Sequence, residues 1–394
     1  MVSESRMRPL LVLSDLHLTR SPDPQVCAQV AALLAAHPDH ELILNGDTFH
    51  WSVEPAGYCP GMLVAETLER APALADALRH RLAHGTPVTI LAGNHDVLAA
   101  APHTLATACR ALGVSEQAPL RGAAWFLHRG RLHIEHGHLY DADNAPAHPL
   151  VPPAGPTEPL GVAITRRFLT RHGALEFVHA SETTPARGLA RACRRYRARA
   201  PRVVLGYFAY AAHQCWLARH AALHRSERDE GNRRLDHYAQ EHDLDLSHLY
   251  TLSASLPRPT HHSVRATFSR LYLDRASATF GTLAGTAIAL SGASLAGLGV
   301  TAACSTYLLA SIARKHNRYA GRVEAALEMA ARRIRELAGI EWVVMGHSHH
   351  ACSTPGYLNS GSFTHAKGGG RPFLHVDETG HPELRHWTQA LASC

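Results

Sequence analysis

The stretch that most limits what this chain can become is Leu10-Leu11-Val12-Leu13-Ser14-Asp15-Leu16-His17. It opens as an uninterrupted apolar run, the pattern of a strand covered on both faces. The run then gives way to Asp15 and His17, two residues apart. In an extended chain, residues i and i+2 point to the same side. The strand end therefore sets a carboxylate beside an imidazole, a bidentate corner for a divalent metal. One such pair is ordinary turn chemistry. The weight comes from its repetition further along the chain.

Residues 24–37 read as a helix. Leu42-Ile43-Leu44 is a second buried strand, ending in Asn45-Gly46-Asp47-Thr48-Phe49-His50-Trp51. A helix is expected near 63–84. A third strand, 88–92, ends in Gly93-Asn94-His95-Asp96. Three βα units thus each put a polar cluster past a strand's C-terminal end, where open α/β sheets build their sites. Residues 124–128 and 132–135 read as a hairpin around Arg129-Gly130-Arg131, and its second strand ends in His136-Gly137-His138. Much later, the strand 342–345 ends in Gly346-His347-Ser348-His349-His350, and strands are expected at 357–362 and 373–376. The glycines permit tight turns and close approach of backbone to a ligand. Aspartate, asparagine and histidine in this pattern suit a pair of divalent ions of the manganese, iron or zinc kind.

Between these two groups of motifs the texture changes. Six prolines crowd 146–159, which neither a helix nor a central strand tolerates, so a linker is expected there. Residues 160–340 are mainly helical by pattern, with arginine-rich faces at 166–171 and 187–202 and an amphipathic helix at 317–338. A chain of 394 residues, 46% hydrophobic, suits two domains with a sizeable core. The expected division is a catalytic domain from 1–145 and 341–394, and a helical insert from 146–340 that caps the mouth of the site. The net charge is +6, almost all from arginine. The arginine clusters read as solvated helix faces, so no specific nucleic-acid binding is expected. Eight cysteines without C-x-x-C spacing form no disulfide framework and no zinc ribbon, which fits a reducing cytoplasm. The first apolar run ends in a candidate ligand, not a cleavage site, so a cytoplasmic location is expected.

Taken together, D-x-H at 15–17, G-D at 46–47, G-N-H-D at 93–96, H-G-H at 136–138 and G-H-S-H at 346–349 resemble, in order, the signature motifs of the calcineurin-like metallophosphoesterase superfamily. The resemblance covers roughly 1–145 and 340–394. It implies an α/β fold, a sandwich of two mixed β-sheets flanked by helices in four layers, here with a large helical insert. It implies two divalent ions, with manganese, iron or zinc expected. Asp15, His17 and His349 would bind one, Asn94, His136 and His347 the other, and Asp47 both. His95 would steady the charge on the phosphate or protonate the leaving oxygen, oriented by Asp96. The implied activity is hydrolysis of a phosphate ester or pyrophosphate by in-line attack of a metal-bridging hydroxide. A phosphoprotein or nucleotide phosphatase stays open as the alternative, and a scaffold that has lost catalysis as one of another class. His138 and His350 are further histidines at the motif ends. A narrower resemblance, of Gly46-Asp47-Thr48-Phe49-His50-Trp51 to the G-D-x-F-x-x-W variant of UDP-2,3-diacylglucosamine pyrophosphatases, suggests aromatic side chains beside the site. Core packing is the competing reading for Phe49 and Trp51. That enzyme group carries arginine where this chain has His95.

One stretch is left over. Residues 276–313 contain no Asp, Glu, Lys or Arg. A single transmembrane span would put His347 and His349 on the opposite side of a membrane from Asp15 and Asp47, so the segment has to turn back. Ser291-Gly292 supplies the turn between helices expected at 276–290 and 295–313. A helix of 15 residues, the length of the first, reaches about 22 Å, short of the roughly 30 Å hydrocarbon core. Three readings stay open: a hairpin buried in the insert, a full two-helix span, or one dipping into the inner leaflet with Arg275, Arg314, Lys315 and Arg318 at anionic headgroups. The last favours a phosphorylated lipid over a small-molecule substrate.

Overall fold

A computed structural model of the protein describes residues 7–54, 58–175, 185–292, 294–315, 317–318, 321–366 and 369–388. The expected ends of the catalytic domain, at 1 and 394, lie outside these. The strands in chain order are β1 (Leu10–Leu13), β2 (Glu41–Asn45), β3 (Val88–Leu91), β4 (Leu120–Ala123), β5 (Phe126–Arg129), β6 (Leu132–Glu135), β7 (Trp342–Met345), β8 (Cys352–Thr354), β9 (Tyr357–Asn359), β10 (Arg371–Val376) and β11 (Pro382–Trp387). They form two mixed sheets, ordered β11-β10-β1-β2-β3-β4 and β5-β6-β7-β9-β8. β1 to β4 run parallel, and β10 pairs antiparallel to β1. In the second sheet β6, β7 and β9 are parallel and β5 and β8 antiparallel.

The apolar run of β1 explains its central place. Leu10 and Val12 join Ile43 and Leu91 of the first sheet and Ile134, Val344 and Leu358 of the second in the core between the sheets. Leu11 and Leu13 face the other way, into a core with α1 (Pro24–Ala36), α2 (Pro60–Glu69), α3 (Pro72–Ala83) and α4 (Pro102–Leu112). All four residues of β1 are at most 1% exposed. The helix expected at 63–84 is two helices, because Pro72 cannot continue a helix and starts α3 instead. The fold is therefore the expected calcineurin-like sandwich with a helical insert.

The chain divides into two compact units, one reaching to Pro153 and adding Glu227–Pro257 and the chain from Glu324, the other holding Ala154–Ser226 and Arg258–Val323. Two helical stretches expected in the insert thus belong with the sandwich. The reason is local packing: Tyr238 donates its hydroxyl to the Phe126 carbonyl of β5 at 3.0 Å, and Leu327 is fully buried beside Gly137. The second unit has its own small core of Leu160, Phe168, Leu169, Tyr210 and Leu271. It also carries the helical hairpin, Leu273–Leu290 and Ser294–Arg314, turning at Ser291-Gly292 as expected.

Candidate metal centre

The sequence motifs meet at the C-terminal ends of β1, β2, β3, β6 and β7. Of the eight described non-glycine residues with positive φ, five are Asp15 (55°), His17 (47°), Asp47 (48°), His347 (63°) and His349 (56°). Each left-handed backbone of this kind costs on the order of 1–3 kcal/mol, and such strain collects where function requires a fixed side chain. The sheet holds these residues in place: the Leu11 and Leu44 layers are buried beneath them, and the Asp15 amide donates to the Gly46 carbonyl at 3.2 Å. Gly46 itself lies at φ 76°, and a Cβ there would strike the His136 ring.

Two triads result. The ligand atoms of Asp15, His17 and His349 lie within 4.8 Å of one another, as do those of Asp47, His136 and His347. In the first, Asp15 Oδ1 is 3.1 Å from His349 Nε2 and 3.6 Å from His17 Nε2, and the two imidazole Nε2 atoms face each other at 3.0 Å. Asp15 Oδ2 accepts the His347 backbone N–H at 3.0 Å. In the second, Asp47 Oδ2 is 3.3 Å from His136 Nε2, and Asp47 Oδ1 accepts the His95 backbone N–H at 2.9 Å. Asn94 stands beside them, buried, its amide nitrogen donating to Asn144 Oδ1 at 3.2 Å.

The donor set fits divalent cations. Asn94 Oδ1 and His17 Nδ1 are buried without a hydrogen-bond partner, and such orphans normally carry an unmet free-energy cost. His136 Nδ1 donates to the Asn45 carbonyl at 2.9 Å, which turns Nε2 toward Asp47 as the nitrogen available to a metal. Asp141 Oδ2 lies 3.1 Å from His347 Nε2. A carboxylate only accepts, so that proton sits on Nε2 and the lone pair on Nδ1. Carboxylate, amide oxygen and imidazole together suit manganese, iron or zinc.

Protonation follows burial and neighbours. Burial alone would raise the Asp15 and Asp47 carboxyls. Imidazoles outweigh it and hold both well below the usual carboxylate range, His349 and His136 for Asp15, His136 and His95 for Asp47. Burial disfavours charge on His136, but Asp47 and Asp15 push it up to about 9. Burial, resisted by Asp47 and reinforced by His17, lowers His95 to about 3.

Two expectations change here. Asp96 does not orient the His95 ring. Its Oδ1 accepts from the Gly93 and Asp47 amides at 2.8 and 3.2 Å, and its Oδ2 from the Phe49 amide at 3.0 Å, so it staples two motif turns together. Burial, followed by the Asp47 charge, raises it to about 7. The group on His95 is Ser52, whose Oγ lies 2.6 Å from Nδ1. Phe49 and Trp51 are buried, stacked at 5.7 Å and part of the helix-side core. His138 is buried near His136 with ring centroids 5.4 Å apart, and burial lowers it. His350 lies exposed at the motif's end. Ser52, Asp141 and Asn144 were not visible as site residues in the sequence. The only signal was Asp141-Ala142-Asp143-Asn144, two residues beyond H-G-H. His50 also joins the site, its ring 4.5 Å from His95 and 4.8 Å from His17.

The chain matches the calcineurin-like phosphoesterase family model over residues 8–248. That is more than half of its length, and the chain belongs to this family of metal-dependent hydrolases acting on phosphoester bonds. The match ends before Gly346-His347-Ser348-His349, which the fold itself brings to the other motifs. No curated protein and no solved structure matches the chain.

Proposed function

We propose that the protein is a two-metal phosphohydrolase that cleaves a phosphate ester or pyrophosphate, with a phosphorylated lipid as its substrate class. The observation that carries the two-ion reading is the pair of adjoining ligand triads. Asp15, His17 and His349 would hold one ion, His136, His347 and Asn94 the other, and Asp47 both. Bound divalent ions supply Lewis-acid stabilisation of the phosphoryl charge and a nucleophile usable at neutral pH.

The chain's own residues do the positioning. Asp141 and Asn144 form a relay, with Asn144 Nδ2 donating to Asp141 Oδ2 at 2.7 Å. It fixes the His347 ring at one end and the Asn94 amide at the other. His95 is neutral at physiological pH, so its role is that of a hydrogen-bond donor, not of a standing positive charge. Neighbouring cations would depress its proton affinity further. Ser52 holds the ring, and the other ring nitrogen is left to meet a phosphoryl or leaving oxygen. The lipid assignment is supported by the exposed apolar hairpin, whose Leu290 and Leu295 are 84% and 89% exposed.

The test is protein stripped with chelator and reloaded with Mn²⁺ alone, assayed on lipid phosphates, lipid-linked pyrophosphates, nucleotides and a phosphopeptide. Two Mn²⁺ per chain and preference for the lipid substrates are expected. Full activity in the stripped protein would overturn the two-metal reading. Preference for nucleotides or the phosphopeptide would overturn the lipid assignment alone.

A further inference from the structure

The second unit holds three buried imidazoles that the phosphoesterase reading does not use. His224 lies in the first turn of the helix Ala221–His242, and His261 and His262 lie on the 3-10 turn Thr260–His262. They are 4%, 4% and 6% exposed. Their ring centroids are separated by 3.8 Å (224 to 262), 4.5 Å (261 to 262) and 5.0 Å (224 to 261). One nitrogen from each lies within 4.8 Å of the other two. We propose that His224, His261 and His262 bind one zinc-class divalent ion, at a site that shares no residue with the phosphoesterase centre.

The chemistry favours a metal over plain packing. Leucine or phenylalanine would fill the same buried space, whereas three imidazoles bring three nitrogen donors together. The three groups in the cluster are all imidazoles.

The backbone under the pair is rigid. The His262 amide donates to the Pro259 carbonyl at 3.1 Å, Arg258 Nη2 to the His262 carbonyl at 2.9 Å, and Thr267 Oγ1 to the Thr260 carbonyl at 3.1 Å. Ser263 then caps the next helix through its Oγ. Zn–N bonds of about 2.0–2.1 Å in a tetrahedron put ligand nitrogens about 3.3 Å apart, within side-chain rotation of the observed cluster. Three nitrogen donors and no oxygen select Zn²⁺, Co²⁺, Ni²⁺ or Cu²⁺ over Mg²⁺ or Mn²⁺. The position suggests the role. Residues 227–257 leave the second unit between His224 and His261, so an ion on these ligands closes that excursion at its base.

The experiment uses the full chain with Asp15→Asn and Asp47→Asn, which disables the phosphoesterase centre. Metal analysis after Zn²⁺ loading and gel filtration should give one Zn²⁺ per chain, and loading with Mn²⁺ none. Adding His261→Ala or His224→Leu should remove that zinc and abolish the rise in Tm that Zn²⁺ gives the parent, with far-UV circular dichroism unchanged. A second measurement needs no change in the cluster: Co²⁺ added to the same parent should give the intense visible bands of tetrahedral coordination. No zinc and no such band in the parent, or zinc retained in both histidine variants, would overturn the proposal.

Discussion

At the scale of single residues, the site separates ligands from the groups that hold them, and substitutions should separate the same way. Asp47→Asn should abolish turnover and release metal, because this carboxylate belongs to one triad and adjoins the other. Full activity with full metal content would remove the two-ion reading. His95→Ala should keep the metal and lower kcat by about 10²–10³, the usual cost of one electrostatic donor. Metal loss in that variant would make His95 a ligand. Asp141→Asn should weaken metal affinity by about 10–100-fold, as expected when the partner of a ligating histidine is changed. Competition against a fluorescent chelator reads that number, and an unchanged affinity would show that the His347 ring needs no such partner. Every proposed ligand of the phosphoesterase centre was legible in the sequence because each sits in a short motif at a strand end. Ser52 and Asp141 were not, because a serine or aspartate in a turn looks the same whether or not a histidine from elsewhere meets it. The Asp96 misreading has the same origin. The family resemblance implied a bond to the neighbouring His95, whereas the tight turn aims the carboxylate back at amides.

At the scale of elements, what could be read was the central strands and long helices, and what could not was the edges. β1, β2, β3 and β7 announce themselves as apolar runs. β4 (Leu-Arg-Gly-Ala), β8 (Cys-Ser-Thr) and β11 (Pro-Glu-Leu-Arg-His-Trp) do not, because an edge strand needs only one partner and no continuous apolar face. The central strands should accordingly bear most of the stability. Leu11→Ala removes a side chain that is 0% exposed, in the strand that also aims Asp15. It should cost about 2–5 kcal/mol in denaturant unfolding. A loss under about 1 kcal/mol would mean the helix layer repacks freely over β1. Gly46→Ala tests the turn rather than the core. It combines a φ of 76° with a clash against the His136 ring, so metal affinity should fall more than Tm.

At the scale of the whole molecule, the open question is what covers the hairpin. The expectation of a hairpin buried in the insert does not hold. Only 6% of the apolar window in Ser294–Arg314 is buried, and Phe280, Leu283 and Leu309 are 63%, 63% and 67% exposed. Its helices are also longer than expected, 18 and 21 residues, which at 1.5 Å per residue is about 27 and 31 Å. Between themselves they pack on small residues, with Gly285 against Thr301 and Gly297 against Ala289, the mode of helix pairs in lipid. Both open ends carry the charge: Arg318 pairs with Asp274 at 2.5 Å, and Arg275 bonds the Ser311 and Lys315 carbonyls. The turn carries none. A hairpin charged at its base and apolar at its tip would enter a bilayer tip first and return to the same side, which would keep His347 and His349 with Asp15 and Asp47. Insertion of the tip is therefore the prediction. The wild type should float with anionic vesicles, and Leu290→Asp with Leu295→Asp should not. Each buried aspartate costs about 2.5–3.5 kcal/mol, so the pair should weaken partitioning by at least about a thousandfold. Hydrolysis of a soluble phosphate ester by the double variant should be unchanged, since neither residue belongs to the metal centre. A wild type that stays off the vesicles, or a variant that floats as well as the wild type, would leave the apolar surface to a protein partner and withdraw support from the lipid substrate.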